Sequence, residues 1–123
     1  MAITTIAGAF NVPKVYRNTA LNSTAVQVSS TPVVLNGINI INTNGSSSNN
    51  AFVKFYNVAS ATVGTTAISR TIFCPHNSSV FISASEFGEM YFDTAMCVAV
   101  TTAISDSDTS AIATAIHIEI GYK

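Results

Sequence analysis

The sequence predicts an all-β fold: one antiparallel β-sandwich of jelly-roll-like form. Three observations carry this. Ile, Val and Thr make up 40 of the 123 residues, whereas Leu occurs twice and Gln once. Branched β-carbons restrict χ1 in a helix and pack well on a pleated surface. The C-terminal stretch alternates with period two: Ile112, Thr114, Ile116, Ile118, Ile120 and Tyr122 on one side, Ala113, Ala115, His117, Glu119, Gly121 and Lys123 on the other. Such alternation is the pattern of a strand with one buried face. Stretches rich in Asn, Ser, Gly and Pro separate the apolar runs, as antiparallel connections require. The length suits a single domain.

The elements follow in order. Residues 1–24 have the weakest pattern and read as an N-terminal arm, which would lie along a neighbouring subunit; 25–123 form the sandwich. Strands are expected at 25–29 and 32–41, with Gly37 at a bulge or bend. Residues 42–50 (Asn-Thr-Asn-Gly-Ser-Ser-Ser-Asn-Asn) form a turn, expected to be the most mobile hairpin tip. Residues 52–57 are apolar on both faces apart from Lys54. Short strands are expected at 68–73 and 80–83, with a turn at 75–79. A strand at 96–102, a turn at 105–110 and the alternating strand from Ile112 complete the chain.

Composition narrows the function. Charged residues are 9% of the chain against about 25% in an ordinary globular domain. Ser (15), Thr (15) and Asn (11) replace them. A net charge of −1 gives no pull toward nucleic acid. No apolar run is long enough for a membrane helix. Residues 1–85 carry Lys14, Arg17, Lys54 and Arg70 and no acid; residues 86–123 carry six acids against Lys123. Either the two halves interleave and the charges mix, or a basic and an acidic patch meet between copies. Cys74 and Cys97 lie in apolar strand-like runs and read as buried free thiols. The N-terminus lacks the basic start and apolar stretch of a secretory signal.

Candidate chemistry is sparse. Neither His76 nor His117 has a second ligand at metal spacing, so no metal or other cofactor is expected. His76 reads as a solvated loop residue and His117 as half of a polar pair with Glu119. Asp106-Ser107-Asp108 has only part of a calcium loop and reads as a turn with its carboxylates in water. Glu86, Glu89 and Asp93 surround Phe87, Tyr91 and Phe92. They read as an acid-rimmed aromatic contact patch, unless the rings fill the core. A hydrolase using Glu86 and Asp93, or a glycan site built on Tyr91, Asp93 and Asn57, are the competing readings. There is no Gly-x-Ser-x-Gly elbow and no phosphate-cradling loop. The candidate contact residues are Lys14, Arg17, Phe87, Tyr91, Phe92 and Asp93; no catalytic residue is assigned.

The run Phe-Val-Lys-Phe-Tyr-Asn-Val-Ala-Ser-Ala-Thr-Val-Gly-Thr-Thr-Ala-Ile-Ser-Arg-Thr-Ile-Phe-Cys-Pro (52–75) resembles small structural proteins of tailed bacteriophages. The likeness continues through the strand at 96–103, the Asp-rich turn at 105–109 and the final strand ending near Tyr122, and covers roughly residues 51–122. Ala67 stands where many such proteins carry Pro, and Ala95 near where they carry Gly. The resemblance implies a non-enzymatic virion component with a β-sandwich fold, made in the host cytoplasm. A capsid decoration or cement protein bound to the major capsid protein, and to further copies of itself as a homo-oligomer such as a trimer, comes first. A neck, tail or fibre component, or a glycan-binding tip, is the alternative. Nucleic acid and membrane are not expected as partners.

Overall fold

The structure, a computed structural model, describes residues 13–123 and the side chains in that range other than those of Ala84 and Phe87. The described residues form nine strands: β1 (Lys14–Leu21), β2 (Val26–Ser29), β3 (Val33–Asn42), β4 (Ala51–Tyr56), β5 (Arg70–Cys74), β6 (Ser78–Ile82), β7 (Met90–Phe92), β8 (Met96–Thr101) and β9 (Ile116–Tyr122). One helical turn, α1 (Ala84–Phe87), joins β6 to β7.

Two antiparallel sheets pack face to face. Sheet A has the order β1-β9-β3-β6, with β7 pairing the first half of β3 on the same side as β6. Sheet B has the order β2-β8-β4-β5. The pairings are nested: β4 with β5 in one sheet, β3 with β6 in the other, then β2 with β8, then β1 with β9. A long hairpin rolled up so that successive pairs alternate between sheets gives this pattern, which is the jelly roll. The all-β sandwich expected from composition and period is what the chain forms.

The period-two pattern sets the core. Ile116, Ile118 and Ile120 of β9 point inward and are fully buried, meeting Leu35, Ile38 and Ile40 of β3 and, across the sandwich, Val53 and Phe55 of β4 and Val98 and Val100 of β8. Gly37 sits where the β3–β9 register shifts, so the expected bulge is present. β4 and β8 are buried on both faces. Val58, Ala61, Val63 and Ile68, from the loop after β4, pack on Tyr56, Cys97 and Ala99 and give sheet B a second, smaller apolar layer. Cys74 and Cys97 are buried free thiols, and burial pushes both thiols up from their ordinary range.

Four expectations are corrected. Residues 14–21 are not part of an arm; they are β1, paired with β9. The rest of that expected arm, 1–12, lies outside the described residues. Three residues of the acid-rimmed patch form β7. The final strand begins at Ile116, not Ile112. Ile112 is buried although it lies in a loop, so alternation outruns the strand. The 42–50 stretch is no free tip. Asn42 and Asn44 are buried, and Asn42 Nδ2 donates to the Asn49 and Cys74 carbonyls at 3.0 and 3.3 Å. Asn44 Nδ2 donates to the Thr114 carbonyl at 2.9 Å while its Oδ1 accepts from the Thr114 N–H at 2.8 Å. These amides replace the missing strand pairs and tie the loop to the segment that leads into β9.

Candidate functional site

The two outer faces of the sandwich differ. The loop after β4 covers much of sheet B, whereas sheet A presents Val15, Phe81 and Tyr91, which are 72%, 70% and 64% exposed. Alternation puts these side chains outside, because their strand neighbours Tyr16, Val80, Ile82, Met90 and Phe92 pack against the core. Register arranges the face in rows. Val15, Gly121 and Gly37 lie side by side; Arg17, Glu119, Asn39 and Phe81 form the next row. Two adjacent glycines leave a trough of about 290 Å³, walled by Val15 and Phe81 and ending at Glu119. The space at Gly121 is tight: a Cβ there would stand 3.0 Å from Asn36 Oδ1, and that side chain would have to give.

Glu119 is the polar hub of this face. Its carboxylate accepts from Arg17 Nε at 3.2 Å and Asn39 Nδ2 at 3.4 Å, and lies 3.2 Å from His117 Nε2. Hydrogen bonding by His117, then by Asn39, holds the carboxyl below its ordinary value. Every member lies on sheet A's outer surface, so the row is a wet, charged seam suited to contact.

A second polar cluster lies on the other side of the molecule. Lys54 is fully buried on the outward face of β4, where its Nζ donates to the Ser105 carbonyl at 2.7 Å. Burial lowers its pKa, and the charges of Asp108 and Asp106 oppose that shift. Asp108 accepts from Ser110 Oγ at 2.6 Å, and this bond is the main cause that holds its carboxyl below the ordinary value. Asp108 is thus fixed by Ser110 and feels the charge of Lys54, rather than standing free in water. Tyr56, two residues on from Lys54, is buried with no partner for its hydroxyl among the described residues, and burial raises its pKa. Lys54 reads in sequence only as the one charge in an apolar strand. Its partner lies 51 residues away, beyond the reach of any local signal.

The candidate contact residues do not stay together. Lys14 and Arg17 lie on exposed β1, Lys14 with its ammonium 5.9 Å from the Tyr122 ring centre. Phe87 falls in α1. Tyr91 is exposed, but Phe92 is fully buried beside Phe55 and leaves the proposed patch, because neighbours along a strand point to opposite faces. The three carboxylates take separate partners. Glu86 accepts from Ser83, Glu89 pairs with Lys123 at 3.2 Å, and Asp93 accepts from Asn57 at 2.7 Å. Asn57 Oδ1 meanwhile accepts from the Thr94 and Ala95 N–H groups, so this amide is spent on a turn. His76 lies in the turn after β5 as expected, half-buried and bonded to Asn50. Charges of the two chain halves mix, as Arg17–Glu119 shows, while Lys123–Glu89 pairs two groups of the second half. Among the described residues no three His, Cys, Asp or Glu side chains are placed to hold a metal ion, and no helix is long and apolar enough to cross a membrane. No family model, curated protein or solved structure matches this chain.

Proposed function

We propose that this chain is a non-enzymatic structural protein of a tailed-bacteriophage virion, a decoration protein that binds the capsid surface and stabilises the shell. The observation that carries the reading is the pairing of a nested jelly roll with one open sheet face bearing Val15, Phe81 and Tyr91. Isolated exposed apolar residues are ordinary, but three on one flat face beside a glycine trough form a contact surface. Jelly rolls serve many functions, so the fold adds weight by analogy only. The resemblance over residues 51–122 supplies the virion context. The dispersal of Glu86, Glu89 and Asp93 onto separate local partners supports a binding role over a hydrolytic one.

The test is add-back. Purified chain is mixed with capsids that lack it, and bound copies are counted as concentration rises. Saturation at a fixed number per capsid, with increased resistance of the shell to heat, is expected. Absence of saturable binding overturns the decoration role.

A further inference from the structure

Sheet A has two open edges, and they match each other. The regular part of β1 is five residues long: Lys14 to Asn18 stay in register with Tyr122 to Ile118 before the ladder shifts. β6 is also five residues, Ser78–Ile82. Among the described residues no strand pairs with the far side of either. β1 and β6 run in opposite directions, because β1, β9, β3 and β6 are antiparallel in turn. A β1 laid beyond β6 therefore continues the antiparallel order when both copies keep the same orientation.

Side chains agree with this. Val15 and Phe81 are the two most exposed large apolar side chains of the described residues, and they stand at opposite edges of the same face. Setting Val15 of one copy opposite Phe81 of the next makes them cross-strand neighbours, which shields both from water. The same register sets Tyr16 opposite Val80, both already packed on the core side. It sets Lys14 opposite Ile82, next to Ser83. There the Glu86 carboxylate is held by the Ser83 N–H and hydroxyl at 3.2 and 3.0 Å. One basic side chain at the start of β1 thus comes near one carboxylate beyond the end of β6. Pairing β1 with β1 across a two-fold axis would instead bring Lys14 and Arg17 toward their own copies.

We infer that copies of this chain join edge to edge through sheet A, β1 of one lying antiparallel to β6 of the next, with Val15 against Phe81 and Lys14 against Glu86. The joint is head-to-tail, so it closes into a ring if the rotation per copy allows and otherwise grows as a chain. The inference deepens the structural role proposed above by naming one partner, a second copy, and its test needs no virion.

The experiment is disulfide trapping on the purified full chain. Both positions are exposed, so the folded state should tolerate Val15→Cys and Phe81→Cys; Cys74 and Cys97 are buried. Facing Cβ atoms on paired strands come close enough for a disulfide. Mixing Val15→Cys with Phe81→Cys should give a covalent dimer on mild oxidation, and the double variant a covalent ladder. Each single variant alone should give neither. Cross-linking of Val15→Cys with itself, or absence of any ladder from a folded double variant, overturns the inference. Lys14→Glu should weaken self-association about tenfold in analytical ultracentrifugation, and adding Glu86→Lys should restore it. No change on Lys14→Glu also overturns it. A trapped ring from a chain that does not bind capsids would leave the joint standing and remove the decoration role.

Discussion

Lys54 on β4 holds the carbonyl of Ser105 across the outer face of sheet B at 2.7 Å. The contact fastens the 102–110 connection to a buried strand, and it determines what substitutions at Lys54 do. Lys54→Ala removes a long buried side chain and strands the Ser105 carbonyl near two acids. The expected loss is about 2–4 kcal/mol in urea unfolding. Lys54→Met keeps the volume and removes the desolvated charge, and should cost less than half as much. Equal losses would place the energy in the bond from the ammonium to the Ser105 carbonyl and none of it in packing.

The lowered pKa of Lys54 also has a sign. Its folded-state value lies below the ordinary 10.5, so between the two the unfolded chain binds more protons. Stability from this group therefore rises with pH through that window. Tyr56, Cys74 and Cys97, whose values are raised, contribute the opposite slope at alkaline pH. The stability of wild type minus that of Lys54→Met should grow as pH approaches 10.5. A flat difference contradicts this.

In acid the carboxylates decide. Asp108 and Glu119 sit below their ordinary values of 3.8 and 4.5. Each contributes stability that is present above those values and is lost as pH falls through the lower folded-state ones. Asp108→Asn should flatten the acid limb of the stability profile. An unchanged limb would show that the Ser110 bond and Lys54 charge count for nothing there.

Gly64 has φ of +90°, and a Cβ would lie 2.6 Å from Thr109 Cγ2 and 3.2 Å from the Ser107 carbonyl oxygen. Gly64→Ala should cost about 1–3 kcal/mol by denaturant titration. Adding Thr109→Ser removes the closest atom and should recover part of that loss, the backbone strain remaining. Full recovery would show that strain is negligible.

Asn57 stitches the β7–β8 turn by donating to Asp93 and accepting from the Thr94 and Ala95 N–H groups. Asn57→Asp keeps the acceptor but sets a carboxylate against Asp93. Destabilisation of about 1–2 kcal/mol is expected, with Asp93→Asn restoring most of it in a double-mutant cycle. Additive effects would separate the two side chains.

Much of the sandwich is legible in the sequence because its inner strands obey period two under burial. β9 and β3 show this most plainly. β1 escapes because Lys-Val-Tyr-Arg-Asn-Thr-Ala-Leu is an edge strand with little buried area to enforce alternation. β7 escapes because three residues show no period. The loop at 42–50 reads as solvent-loving, yet its Asn amides do the work of a strand, and their Thr114 partner lies 70 residues away. The contact patch was half legible. Aromatic content marked residues 87–92 but could not say that Phe92 turns inward while Tyr91 turns out. Val15 and Phe81 carry no local mark at all. Their meaning comes from standing at opposite edges of one sheet.

The most direct test of the proposed structural role is a protein inventory and reconstruction of whatever phage particles the genome that encodes this chain produces. The account predicts the chain in fixed stoichiometry to the major capsid protein, seen as a β-sandwich at regular sites on the outer shell. Its absence from those particles would contradict the account.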